Sequence, residues 1–149
     1  VLNNSCKYRS VVIRLSNVYG NYKKTELDDS SYLKLMIRHA LQKAKLKVSQ
    51  SLGSSKDYIY VEDAMQGLVL AAIYSTKNDI YNIASGHSFC LKEWLDYLQL
   101  SYLAESQGLA GHCHISIEKA KKELGFSPLK TMSNLKFHEL VCMDKQNII

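Results

Sequence analysis

Long hydrophobic runs are missing from this chain of 149 residues. No apolar stretch approaches the ~20 residues that a membrane-spanning helix needs, and the first residues do not read as a secretory signal. Cysteines number four (Cys6, Cys90, Cys113 and Cys142), far apart and without a CxxC pair. Such spacing argues against a disulfide framework and for reduced thiols of a cytoplasmic protein. Only one proline is present, and no repeats, low-complexity tracts or linker-like stretches interrupt the chain. The sequence also lacks GxGxxG, a Walker loop, HExxH and GxSxG, which removes the short signatures of dinucleotide, nucleotide, zinc-protease and serine-hydrolase sites. It begins at Val1 without an initiator methionine, as expected for a piece of a longer chain.

What is present is ordinary for a globular protein: 46% hydrophobic residues, 22% charged residues and a net charge of +5. A single unit of this size buries roughly two thirds of its unfolded surface. The positive charge comes in short patches, Lys23-Lys24, Lys43 to Lys47 and Lys119 to Lys122. Aromatic residues are not interleaved with them, so solvated helix faces explain them better than a nucleic-acid site does.

Hydrophobic periodicity orders the chain into alternating strands and helices. Ser10 to Leu15 (SVVIRL) reads as a buried strand of the parallel-sheet type, ended by the loop signal Gly20-Asn21. Leu33, Met36, Ile37, Ala40, Leu41 and Ala44 recur at helical spacing, with Ser30 or Ser31 as the cap. Asp57 to Val61 reads as a strand that runs into a helix over Ala64 to Tyr74, with Glu62 and Asp63 at its positive end. A strand over Asp79 to Ala84 follows, then a helix from about Leu91 to Leu103 in which Glu93 imitates a capping box with Cys90. His112 to Ser116 suggests a small strand. Ser116 caps a helix over Ile117 to Leu124 that Gly125 ends, and Met132 to Cys142 is a last amphipathic segment. The fold class is α/β.

Three local features resemble chemistry without carrying it. His112-Cys113-His114 brings possible ligands together, but no further ligand cluster supports a metal site, and surface histidines are the plainer reading. Tyr19 and Lys23 have the Tyr-x-x-x-Lys spacing that places an ammonium beside a phenol on a helix. Gly20 and Asn21 lie between them, directly after a strand, so they do not share a helix face. Gly108-Leu109-Ala110-Gly111 is a fragment of a glycine pattern with no strand before it.

Four segments, in order, carry a resemblance. Ile13 to Gly20 (IRLSNVYG) is similar to LRxxNVYG, and Ser55 to Ala64 (SKDYIYVEDA) to xRDYIYVxDxA. Ile80 to Gly86 (IYNIASG) looks like xYNIGSG, and Ile117 to Pro128 (IEKAKKELGFSP) like xSKAxxxLGFxP. Each is weak alone. Together, from Ser10 to Pro128, they resemble the NAD-dependent epimerase/dehydratase family, the extended short-chain dehydrogenases/reductases. The resemblance implies that residues 1–149 form a single C-terminal segment, the last strands of a Rossmann-type sheet plus a small substrate-binding portion. In that family the glycine-rich loop and the catalytic Tyr-x-x-x-Lys helix lie before the LRxxNVYG strand, so no catalytic residue is expected among these 149.

By the same resemblance Ser16 matches a residue passing beside the nicotinamide, and Asn17 one that contacts the substrate's diphosphate region. Lys56 matches an arginine that clamps a nucleotide phosphate; lysine keeps the charge and loses the bidentate fork. Asp57, Asp63 and Asn82 match positions read as structural. Ala104 to Gly111 lacks the arginine of the family's RxGD stretch, and Asn21 stands where proline is common. The implied function is the substrate-binding part of an NAD- or NADP-dependent epimerase, dehydratase or reductase acting on a nucleotide sugar, inactive as this fragment. The implied partners are a nucleotide-sugar type small molecule and a second copy in a full-length homodimer, with no membrane. A fragment of this kind would expose apolar sheet edges and helix faces. The alternatives are a non-catalytic binding or regulatory protein on the same scaffold and, more weakly, a basic RNA-binding relative.

Overall fold

The computed structural model describes residues 10–76, 78–105 and 108–142. Among these residues, nine strands and five α-helices follow one another. The first part runs β1 (Val11–Leu15), β2 (Asn17–Tyr19), β3 (Tyr22–Lys23), α1 (Tyr32–Leu41), β4 (Leu46–Val48), β5 (Ser55–Tyr60) and α2 (Val61–Tyr74). The second runs β6 (Asp79–Ile83), β7 (Ser88–Cys90), α3 (Leu91–Tyr97), β8 (Tyr102–Ala104), α4 (Glu118–Leu124), α5 (Phe137–Leu140) and β9 (Val141–Cys142). They form two compact units, each assembled from three separated stretches. Among the described residues the first unit takes 10–18, 57–88 and 114–131, and the second takes 19–56, 89–113 and 132–142. A three-stranded sheet has the order β2-β5-β7.

In the first unit β1 and β6 pair in parallel, with Val11 opposite Asp79 and Leu15 opposite Ile83. Side chains alternate across a strand, so Val11 and Ile13 pack on a core of Ile59, Ala64, Ala71, Ile83, Ala120 and Phe126. Val12 and Leu15 remain exposed, at 38% and 44%. The fully buried strand expected from SVVIRL is thus corrected to a half-buried one: the helical layer of α2 and α4 covers the face that carries Val11 and Ile13.

Gly67 sets how closely α2 approaches that sheet. A Cβ there would lie 2.5 Å from Ile83 Cγ2 and 3.1 Å from a Phe126 ring carbon. Two buried carboxylates tie the loops of this unit. Asp57 accepts the Ser85 amide (2.9 Å), the Ser85 hydroxyl (3.0 Å) and the Gly86 amide (2.9 Å). Asp63 accepts the Leu129 amide (3.1 Å) and the Lys130 amide (2.8 Å). The Asn82 side-chain amide donates to the Ser116 carbonyl at 3.0 Å. All three residues therefore make structural bonds, with Asp63 reaching out of the first turn of α2 to a loop.

The second unit packs around Trp94. Tyr19, Tyr97 and Phe89 meet its ring edge-on, with centroids 5.3, 6.0 and 6.4 Å away. The Tyr97 hydroxyl donates to the Leu135 carbonyl at 3.0 Å. Two short parallel pairs frame this core, β4 with β8 and β3 with β9. Ser31 caps α1 by accepting the Lys34 amide at 3.2 Å, and the Cys90 amide donates to Glu93 at the start of α3 at 2.6 Å.

Several boundaries differ from the periodic reading. Helix α1 stops at Leu41 because Lys43 turns into the left-handed region (φ 52), so Ala44 lies beyond it. Helix α3 stops at Tyr97, and Gln99 (φ 50) redirects the chain into β8 where a helix to Leu103 is expected. His112 makes only a single bridge, to Ser55, in place of a strand. Met132 to Cys142 breaks into a 3-10 turn, α5 and β9. Ser116 sits one residue before the Ile117 cap of α4, with its hydroxyl 3.5 Å from the Glu118 amide. Gly125 ends that helix in the left-handed conformation, as its position predicts.

Candidate functional site

In open parallel sheets the carboxyl ends of the strands present side chains to ligands. Ser16 and Asn17 follow the carboxyl end of β1 in the first unit. The Ser16 amide is spent on the Ile83 carbonyl at 3.2 Å. Its hydroxyl is buried and has no hydrogen-bond partner among the described residues. A buried hydroxyl left in this state costs about 1–3 kcal/mol, which a ligand atom at that position would relieve. The Asn17 side chain is already at work: its Nδ2 donates to the Asp57 carbonyl at 2.9 Å. One N–H of that amide and its acceptor oxygen are left, so an anion has a single donor available here.

Lys56 lies in the second unit, exposed on β5. It lines a cavity of about 550 Å³, within the size range of small-molecule sites. Ser54 and Ser55 line it as well, as do Gly111, His112 and Cys113, the stretch that runs beside Ser55. Backbone bonds join the two stretches. The Ser55 amide donates to the Gly111 carbonyl and the Cys113 amide to the Ser55 carbonyl, at 2.9 and 3.0 Å. The Gly111 amide donates to Ser54 Oγ (3.2 Å), and Ser55 Oγ lies 3.0 Å from His112 Nδ1. None of the described residues lining the cavity is acidic. Hydroxyls and an ammonium without a carboxylate make a site for an anion or a polyol.

The stretch beside Ser55 is what sequence reasoning missed. Gly108 to Gly111 reads as a stray glycine pattern and His112 to His114 as surface histidines, because the partner strand lies more than fifty residues away. Among the described residues no three His, Cys, Asp or Glu side chains gather as a metal site. Cys90 and Cys113 are in no disulfide, and Cys6 lies outside the described residues. Helix α1 lines a separate cavity of about 300 Å³ through Arg38 and Leu41. Tyr19 is buried against Trp94, and Lys23 sits in β3, so the Tyr-x-x-x-Lys spacing falls on strands.

Known proteins agree with this architecture. The Pal protein of Bacillus thuringiensis superposes with a TM-score of 0.77 over 91% of this chain and 45% of its own, at 22% identity. A Bacillus cereus UDP-glucuronic acid 4-epimerase, solved with UDP-glucuronic acid and NAD, gives 0.72 over 87% and 43%, at 19% identity. In sequence, an Escherichia coli dTDP-4-dehydro-6-deoxyglucose reductase is 25% identical over 80% of this chain and 40% of its own length. A Salmonella typhimurium dTDP-glucose 4,6-dehydratase is 27% identical over 84% and 38%. The chain thus spans about 40% of the curated relatives it matches. No helix among the described residues is long and apolar enough to cross a membrane. A model of the NAD dependent epimerase/dehydratase family matches residues 2–84, more than half of the sequence, and the chain belongs to that family.

Proposed function

We propose that residues 1–149 are the C-terminal, substrate-binding segment of an enzyme acting on a nucleoside-diphosphate sugar with NAD or NADP. The observation that carries this reading is the cavity beside Lys56. Lys56 shares its lining with serines, and none of the described lining residues is a carboxylate, which suits a sugar diphosphate. Asn17 keeps one side-chain N–H for the same class of ligand at the end of β1.

For the cofactor, the orphaned Ser16 hydroxyl fits a polar atom of a bound nicotinamide nucleotide. When present, such a cofactor takes and returns a hydride. This sequence has no GxGxxG to cradle its diphosphate, so its own share is a contact at Ser16 rather than a complete cofactor site. Epimerase, dehydratase and reductase chemistry all remain compatible with these residues. A second reading, a non-catalytic binding protein on the same scaffold, draws support from Asn17, whose amide already serves the Asp57 carbonyl.

Titration of UDP and dTDP into the purified chain, followed by NMR or calorimetry, tests the proposal. Either nucleotide is expected to bind, and Lys56→Gln to weaken binding about fivefold to tenfold. Absence of binding by both, or an unchanged affinity in the variant, sinks it. With NAD and UDP-glucose or dTDP-glucose added, the chain alone is expected to turn over neither. A product in that assay would place catalytic groups within these 149 residues.

A further inference from the structure

The cavity at the end of α1 measures about 300 Å³ and is lined by Lys24, Leu27, Arg38, Leu41 and Gln42. Two elements bring these residues together. Arg38, Leu41 and Gln42 are three and four positions apart, so they share one face at the end of α1. Lys24 opens a 3-10 turn that closes on Leu27, whose amide donates to the Lys24 carbonyl at 3.4 Å. Residues three apart in such a turn eclipse one another, which puts Lys24 and Leu27 on one edge of it. Leu27 is buried and Leu41 half-buried, whereas Lys24 and Gln42 are exposed. The cavity thus has an apolar floor and a polar, cationic rim. Arg38 Nη2 donates to Asp29 Oδ1 at 2.5 Å, which leaves the rest of the guanidinium fork to other acceptors. Asp29 does not line the cavity, and none of the described lining residues is acidic. Of the neighbouring carboxylates, Glu26 accepts the Lys23 amide, and Asp28 accepts Ser30 and Lys34. Lys24 and Arg38 set against Asp29 leave a single net positive charge. The carbonyl end of a helix disfavours an anion. Here the Arg38, His39 and Ala40 carbonyls already accept the Gln42, Ala44 and Lys43 amides, at 3.0, 2.9 and 3.2 Å.

We propose that this cavity is a second small-molecule site, one that takes a monocarboxylate on a compact apolar body. Leu27 and Leu41 receive the body. Lys24 and the open part of the Arg38 fork receive the carboxylate, a planar group whose two oxygens match a guanidinium. Gln42 adds a neutral amide at the rim. One net positive charge answers one carboxylate and leaves a diphosphate largely uncompensated. Asp29 orients Arg38 and also competes with the ligand for it. The site shares no lining residue with the Lys56 cavity and does not depend on that cavity's ligand.

The test is a titration of benzoate into the 149-residue chain, followed through the methyl NMR signals of Leu27 and Leu41. Both signals are expected to shift and to saturate at roughly millimolar concentration. Benzamide has the same shape without the charge and should bind about fivefold more weakly, a comparison that needs no variant. Lys24→Gln and Arg38→Gln should each weaken benzoate by about threefold to fivefold. Asp29→Asn frees the whole fork and should strengthen benzoate by about twofold. Leucine methyls that do not shift, or benzamide binding as well as benzoate, overturn the proposal. So does an affinity unchanged in both cation variants, or one that does not rise in Asp29→Asn.

Discussion

The two units differ in what they leave uncovered. The first exposes many large apolar side chains, among them Val12 and Leu15 on β1, Val18 on β2, Leu129 in a loop, and Met65, Val69 and Ile73 on α2. The last three are 54–61% exposed and recur at helical spacing, a stripe that matches a helix packed on both sides. In the second unit the large exposed apolar residues are Leu103 and Leu109 alone among those described. Its aromatic centre, Trp94 with Tyr19, Phe89 and Tyr97, is closed on itself. A two-stranded parallel sheet covered on one face is a marginal structure by itself. The lesson is that the unit richest in family motifs is also the one that exposes more of its large apolar side chains.

The largest expected effect falls on the second unit. Trp94→Ala removes the ring that three aromatic neighbours meet, and should cost about 3–5 kcal/mol. Trp94 is the only tryptophan, so denaturation must be followed by circular dichroism rather than fluorescence. Independent stability of the second unit would appear as a separate transition that this variant alone shifts.

Next comes the first unit. Gly67→Ala pushes a methyl into Ile83 and Phe126 and should destabilise by about 1–3 kcal/mol, read from the denaturant midpoint at constant m. A stable, unshifted variant would mean that α2 slides freely over the sheet.

On the exposed stripe the sign reverses. Val69→Lys and Ile73→Lys should change stability by no more than about 0.5 kcal/mol and reduce self-association and dye binding. A loss of several kcal/mol would show that the stripe is covered after all.

The smallest effect belongs to the loop before α1. Hydrogen bonds from Ser30, side chain first and then amide, together with Lys34, hold the Asp28 carboxyl at about 2 against an ordinary 3.8. A carboxyl with a depressed folded pKa stabilises above its unfolded value. That contribution is complete above about pH 4 and fades as pH falls toward about 2. An NMR titration of Asp28 with a midpoint near 3.8 would remove the prediction. The group is fully exposed, so the change in the melting curve should be slight.

How far the sequence could be read follows the length of the elements and their local signals. β1, α1, β5, α2, β6 and α4 were legible because β-branched runs, helical spacing, the Ser31 cap and Gly125 act locally. The short strands β3, β4, β7, β8 and β9 were not. Leu46–Val48 is three residues with a lysine in the middle, and only its pairing with Tyr102–Ala104 makes it a strand. The candidate site splits likewise. Lys56 was legible from the motif around it. His112 was not, because its meaning comes from Ser55, brought to it by folding. Nor does any local signal mark the Ser16 hydroxyl as buried without a partner.

The interleaving of the units also has a consequence for how the chain is made. Val11 waits for Asp79, and Tyr22 waits for Val141 almost at the far end of the sequence. A ribosome therefore releases neither unit complete until its last stretch emerges: α4 and Phe126 for the first, Leu135 to Val141 for the second. Long-range parallel pairing of this kind is slow to close, and the waiting strands are open to wrong partners in the meantime. A stop even ten residues after Pro128 would spare the core residues of the first unit while taking Leu140 and Val141 from the second, so premature termination strikes the second unit first.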